Sequence, residues 1–205
     1  MTLARLTEVL TPAVASGVGL GAFNVFSIEH AEALTAAAEA AGTPVVLQIS
    51  QNAVRYHGSL APFELATLAL ARTPQVPELS LTRRGPLLRQ PGLDASAVAV
   101  GTSHAMTERH VTLDLELISA LRAAVPVPLV LHGSSGVPDQ ELVRAVEAGM
   151  TKINIATHLN HVFTNAVRDV LAANPAMVDS RRYLGPARDA VTAEAARLLR
   201  MFREL

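Results

Sequence analysis

No cysteine and no tryptophan occur among the 205 residues, and aromatic side chains make up only 3% of the chain. Without cysteine there are no disulfides and no thiolate metal ligands, which leaves His, Asp and Glu as the strong metal donors and is compatible with the cytoplasm. An excess of charge is lacking as well: 17 Lys and Arg face 18 Asp and Glu. With the basic residues scattered apart from one cluster, nothing calls for nucleic acid or a membrane surface as partner, and small-molecule chemistry is the expectation. No apolar run approaches the ~20 residues of a membrane span, and Glu8 and Pro12 after Arg5 make a poor signal peptide. With 50% apolar and 17% charged residues, the chain suits one well-filled cytoplasmic domain spanning 1–205.

What the sequence does contain is a series of short apolar runs that stop in polar residues. Pro128-Leu129-Val130-Leu131-His132-Gly133-Ser134-Ser135-Gly136 is the clearest, a buried strand followed by a turn in which backbone amides can approach an anion. Ala97-Val98-Ala99-Val100-Gly101-Thr102-Ser103-His104 has the same form. Lys152-Ile153-Asn154-Ile155-Ala156-Thr157 ends in Asn and Thr instead of His. Earlier, Ala22-Phe23-Asn24-Val25-Phe26 and Pro44-Val45-Val46-Leu47-Gln48-Ile49-Ser50 read as two further strands. Between them lies an alanine-rich helix with Ser27 as N-cap and Gly42 as its stop. The alternation predicts parallel strands joined by helical crossovers, an α/β fold. A short opening helix is expected before the interruption at Thr11-Pro12, a helix from about Pro62 to Ala71, and a last helix from about Pro186 to Leu205.

The stretch 72–92 differs from both flanks, with four arginines, four prolines and one acid. Proline at that density predicts an irregular, exposed connection.

In parallel α/β folds ligands bind beyond the carboxyl ends of the strands, where Asn24, Ser50, His104, His132 to Ser135, Asn154 and Thr157 all fall. Two strand-end histidines either ligate a divalent ion or serve as hydrogen-bonded structural residues, and a catalytic zinc needs a third protein ligand. The turns at Gly133–Gly136 and Asn154–Thr157 suit a phosphate or are ordinary βα turns. His30, His57, His110, His158 and His161 lie in or beside helices and are expected at the surface.

Taken together, these strand ends resemble the class II, zinc-dependent ketose-bisphosphate aldolases, as does Asp179-Ser180-Arg181-Arg182-Tyr183-Leu184-Gly185-Pro186-Ala187-Arg188. The Asn-Ile-Ala-Thr variant looks more like the tagatose-bisphosphate branch than the fructose-bisphosphate branch. The resemblance implies a TIM barrel with Zn²⁺ on His104 and His132. It also implies a sugar phosphate, the dihydroxyacetone phosphate moiety of a ketose bisphosphate, held by Gly133 and Ser135 and by Asn154, Ala156 and Thr157. Asn24, Ser50 and Gly101 would line that site. Zinc would act as a Lewis acid on the ketone, and a homo-oligomer is expected.

Between about residues 71 and 93 the resemblance fails. The family carries a Leu-Asp-His strand end there, supplying the catalytic Asp and a zinc His, and later a strand ending in a zinc-binding Glu. This implies a partial barrel with strands equivalent to one, two, six, seven and eight of eight, with the 72–92 join replacing the central units. No catalytic residue is assigned, and aldol cleavage is expected to be impaired or absent. The alternatives are a non-catalytic sugar-phosphate-binding remnant and the product of a disrupted gene.

Overall fold

A computed structural model describes residues 2–72, 78–83, 94–102 and 108–204. Its strands are β1 (Thr2–Leu3), β2 (Leu20–Val25), β3 (Val45–Ile49), β4 (Glu78–Arg83), β5 (Ser96–Val98), β6 (Leu129–Leu131) and β7 (Met150–Ile155). They form one sheet in the order β1-β4-β3-β2-β7-β6-β5, and every pairing is parallel. The helices are α1 (Leu6–Ser16), α2 (Ile28–Ala41), α3 (Gln51–His57), α4 (Ala61–Ala71), α5 (Leu115–Ala124), α6 (Asp139–Glu147), α7 (Thr157–Ala173) and α8 (Arg181–Arg203).

The period of two in the strands sorts their side chains into two cores. Phe23, Val25, Leu47, Ile49, Leu131, Ile153 and Ile155 pack with α2 and α8 in the larger core. Leu20, Ala22 and Val46 face the other way, against Val9, Leu10 and Ala13 of α1. Helix α1 thus covers the lower part of that second face. The polar residues Asn24, Gln48, Lys152 and Asn154 occur in the same strands, in alternation with the larger core.

Local signals explain the helix ends. Ser27 Oγ accepts the His30 N–H (3.3 Å) to start α2, and Gly42 closes it in the left-handed region at φ 62°. The Asp114 carboxylate accepts the Leu117 N–H (2.9 Å) to start α5.

Several expectations are corrected. The stretch 72–92 is not irregular throughout, because it contains β4, paired in register with β3 through Leu79↔Val45 and Leu81↔Leu47 and with β1 on its other side. Its prolines flank the six-residue segment Glu78–Arg83 and none falls inside it, so the ladder loses no donor. The sheet accordingly has seven strands among the described residues where five were expected. Helix α1 continues through Pro12, α8 begins ahead of Pro186, and α3 was not anticipated. His30 is not a surface residue. It is 2% exposed, with its ring 3.9 Å from Phe26 and 4.7 Å from Phe163, centroid to centroid.

Candidate functional site

The carboxyl ends of β2, β3, β6 and β7 bring Asn24, Gln48, His132, Lys152 and Asn154 together. In register, Asn24 lies beside Gln48 and Ala22 beside Asn154, so Gln48 of β3 and Asn154 of β7 meet diagonally across β2. Lys152 Nζ donates to Gln48 Oε1 (2.9 Å) and to Asn154 Oδ1 (2.6 Å). Gln48 Nε2 also donates to Asn154 Oδ1 (3.3 Å). The Asn154 Nδ2 group then lies 3.2 Å from His132 Nδ1 and 3.3 Å from Nε2. Asn24 is half-buried, and its carboxamide makes no hydrogen bond among the described residues.

Beside this polar cluster a glycine turn meets the start of a helix. Gly133 has φ 67°, the left-handed conformation that glycine adopts without a Cβ penalty, and it turns the chain from His132 into the single 3₁₀ turn Ser134–Gly136. Ser135 Oγ accepts the Ala156 N–H at 3.4 Å, joining this turn to the start of α7. Helix α7 runs for 17 residues and has no side-chain cap at Ala156. Its first N–H groups and the positive end of its dipole, at Thr157, are therefore open to an anion.

The start of α7 is anchored from behind. His158 Nε2 lies 2.7 Å from Glu194 Oε1 on α8, Arg197 pairs with the same carboxylate at 2.7 Å, and Arg197 and Arg109 both reach Asp139 on α6. Burial works to raise the Glu194 pKa, but hydrogen bonds from Arg197 and His158 outweigh it and bring it down to about 2. His158 is thereby a half-buried partner in an ion-pair belt and not a free surface residue.

The remaining expectations divide. Ser50 Oγ accepts the Ala53 N–H (3.2 Å) as the N-cap of α3, which leaves its hydroxyl proton and one lone pair for a ligand. Gly101 is exposed at φ 102°. His104 lies outside the described residues, and β5 covers only Ser96–Val98. Gln48 and Lys152, buried to 1% and 4% exposure, were not anticipated as site residues. Their signal was a polar side chain inside an otherwise apolar buried strand, which is informative because such a group needs partners.

A catalytic zinc takes three protein ligands and keeps one open position. Among the described residues no three His, Asp or Glu side chains converge, and the ring of His132 already faces the Asn154 amide. The described residues do not fit that ion, so no chemical step is derived through it. No helix among them is long and apolar enough to cross a membrane.

Comparison with known proteins agrees with this architecture. A "Fructose-bisphosphate aldolase" of Geobacillus stearothermophilus is 26% identical over an alignment 279 positions long, covering 98% of this chain and 97% of the relative. Since the chain itself has 205 residues, part of that relative has no counterpart here. Among solved structures, the YdjI aldolase from Escherichia coli K12 superposes with a TM-score of 0.84 at 21% identity, covering 98% of this chain and 97% of that one. The fructose-bisphosphate aldolase of Campylobacter jejuni gives 0.75 at 15% identity, with 98% and 95% covered. These likenesses establish the fold. The family model of class-II fructose-bisphosphate aldolase matches residues 4–81 and 86–204, so it takes in Glu78–Leu81 of β4, and the chain belongs to that family.

Proposed function

We propose that the chain binds the phosphate end of a ketose phosphate and cleaves its carbon–carbon bond little or not at all. The observation that carries this reading is the cradle, in which an uncapped 17-residue helix start is tied by Ser135 to a Gly133 turn. Asn24, Ser50 and Asn154 supply polar groups for the sugar hydroxyls and ketone beside it, with Gly101 at the rim.

We read β2, β3, β4, β5, β6 and β7 as strands one, two, three, six, seven and eight of the family barrel. On this reading the third strand is in place, but it ends in Thr82-Arg83 and is followed by Arg84-Gly85, where the resemblance implies Leu-Asp-His. A guanidinium carries no acceptor, so it neither takes a hydroxyl proton nor ligates zinc. The strand-five Glu has no counterpart either. Of the zinc ligands that the resemblance implies only His104 and His132 remain, and two are too few for a tight catalytic zinc site.

Calorimetric titration with dihydroxyacetone phosphate tests the binding. Saturable one-to-one binding, competed by inorganic phosphate, is expected. Ser135→Ala removes the acceptor for the Ala156 N–H and is expected to weaken both ligands by about 5–10-fold. A wild-type chain that does not saturate with either ligand contradicts the reading.

A further inference from the structure

We infer that Lys152 is a positioning residue: its ammonium holds the Asn154 carboxamide with Nδ2 turned toward His132 and the sugar site, so that the site distinguishes a hydroxyketone phosphate from bare phosphate. This rests on the sugar-phosphate reading above.

The chemistry of the donors fixes the orientation. An ammonium has three donors and no acceptor, so any amide within hydrogen-bond reach must turn its oxygen toward it. Lys152 Nζ meets two amides, at 2.9 Å from Gln48 Oε1 and 2.6 Å from Asn154 Oδ1. Gln48, so oriented, has its Nε2 left to donate to the same Asn154 oxygen at 3.3 Å. Turning the Asn154 amide over would set its NH₂ against both donors. The only arrangement that satisfies all three side chains points Nδ2 away from Lys152, on the side where His132 stands at 3.2 Å.

The placement is costly, which argues against an incidental role. Lys152 is 4% exposed and Gln48 1%, and an apolar side chain fills such a position without the desolvation penalty of a buried charge. The backbone is also adjusted there. Leu129 pairs with Met150 but Val130 with Lys152, so the register slips at Thr151, a local irregularity of the kind that re-aims neighbouring side chains. Gln48 stands in register with Asn24 and Asn154 with Ala22, so Gln48 reaches the Asn154 amide diagonally across β2.

A double-mutant cycle tests this, with the ratio of inorganic-phosphate Kd to dihydroxyacetone-phosphate Kd as its readout. Lys152→Met also removes a positive charge, but that weakens both anions alike and leaves the ratio unchanged. Positioning acts on the hydroxyketone only, so the ratio is expected to fall by about tenfold in Lys152→Met and in Asn154→Ala. It is expected to fall no further in the double variant, because Lys152 acts through Asn154. An unchanged ratio in Lys152→Met, or additive losses, overturns the inference.

A second measurement needs neither ligand nor a folded Lys152→Met. In the ¹⁵N spectrum of the wild type, the Asn154 side-chain amide is expected to exchange its protons at least about tenfold more slowly than that of exposed Asn52. Equal rates overturn the positioning role. Wild-type protein that binds neither ligand but shows the slow Asn154 amide refutes the sugar-phosphate reading and keeps the orientation by Lys152.

Discussion

Replacing Phe202 with alanine is expected to remove about 3–5 kcal/mol of stability, the usual cost of emptying a fully buried aromatic site. Phe202 is 0% exposed and, with Phe23, is among the largest buried side chains. It lies near the end of α8, where its carbonyl accepts the Gly19 N–H at 2.8 Å just ahead of β2. A Cβ on Gly19 would stand 3.1 Å from the Phe202 Cβ, so strand and helix are already in close contact and have little room to collapse into a cavity. Against a total of about 5–15 kcal/mol for a domain, the variant would sit close to unfolding. The denaturant midpoint should drop with an unchanged slope. Gly19 stands at the opposite end of β2 from Asn24, so ligand affinity of the folded fraction should not move. A loss under about 1 kcal/mol would mean that the end of α8 is not part of the core.

The second large effect is expected from pH at His30. Burial, which outweighs the opposing Glu29 charge nearby, brings its pKa from the ordinary 6.5 down to about 4. Ser27 Oγ stands 3.1 Å from Nδ1, while Nε2 has no partner among the described residues. The folded chain therefore keeps the ring neutral, while the unfolded chain takes up a proton at the ordinary value. Stability is fully present above about pH 6.5 and falls as the pH drops toward 4, where the loss levels off. The shift corresponds to about 3 kcal/mol. His30→Leu keeps the helix cap, because Ser27 caps through the His30 backbone N–H, and it removes the titrating group. Urea midpoints at about pH 7 and pH 5 should separate in the wild type and nearly coincide in His30→Leu. The Glu194 carboxylate, held down at about 2, keeps its full contribution above its ordinary 4.5 and loses it as the pH falls from there toward 2, below both pH values at which the urea midpoints are compared. An equal decline in both proteins would contradict the assignment.

These two positions also mark what the sequence could and could not tell. Apolar runs bounded by proline, such as Leu129–Leu131, and caps such as Ser27 and Gly42 are local signals, and they located the βα units and the rim at Gly133 and Asn154. Strand β4 was hidden because proline density was judged over the whole of 72–92, although Glu78–Arg83 contains no proline and alternates apolar with polar residues. His30 looked like a surface residue because it lies at the start of a helix. Its burial depends on Phe26 and on Phe163 from a helix far along the chain. Gln48 and Lys152 are separated by more than a hundred residues in sequence. Only the parallel register of β3, β2 and β7 brings them onto one amide.

The most direct test measures binding and turnover on one preparation. Fructose 1,6-bisphosphate and tagatose 1,6-bisphosphate are offered to the chain with added zinc and with a chelator, while dihydroxyacetone phosphate is titrated in parallel. Binding of dihydroxyacetone phosphate with no cleavage above background under either condition is the expected result. Cleavage that disappears with the chelator and returns with zinc would contradict the loss of aldol cleavage.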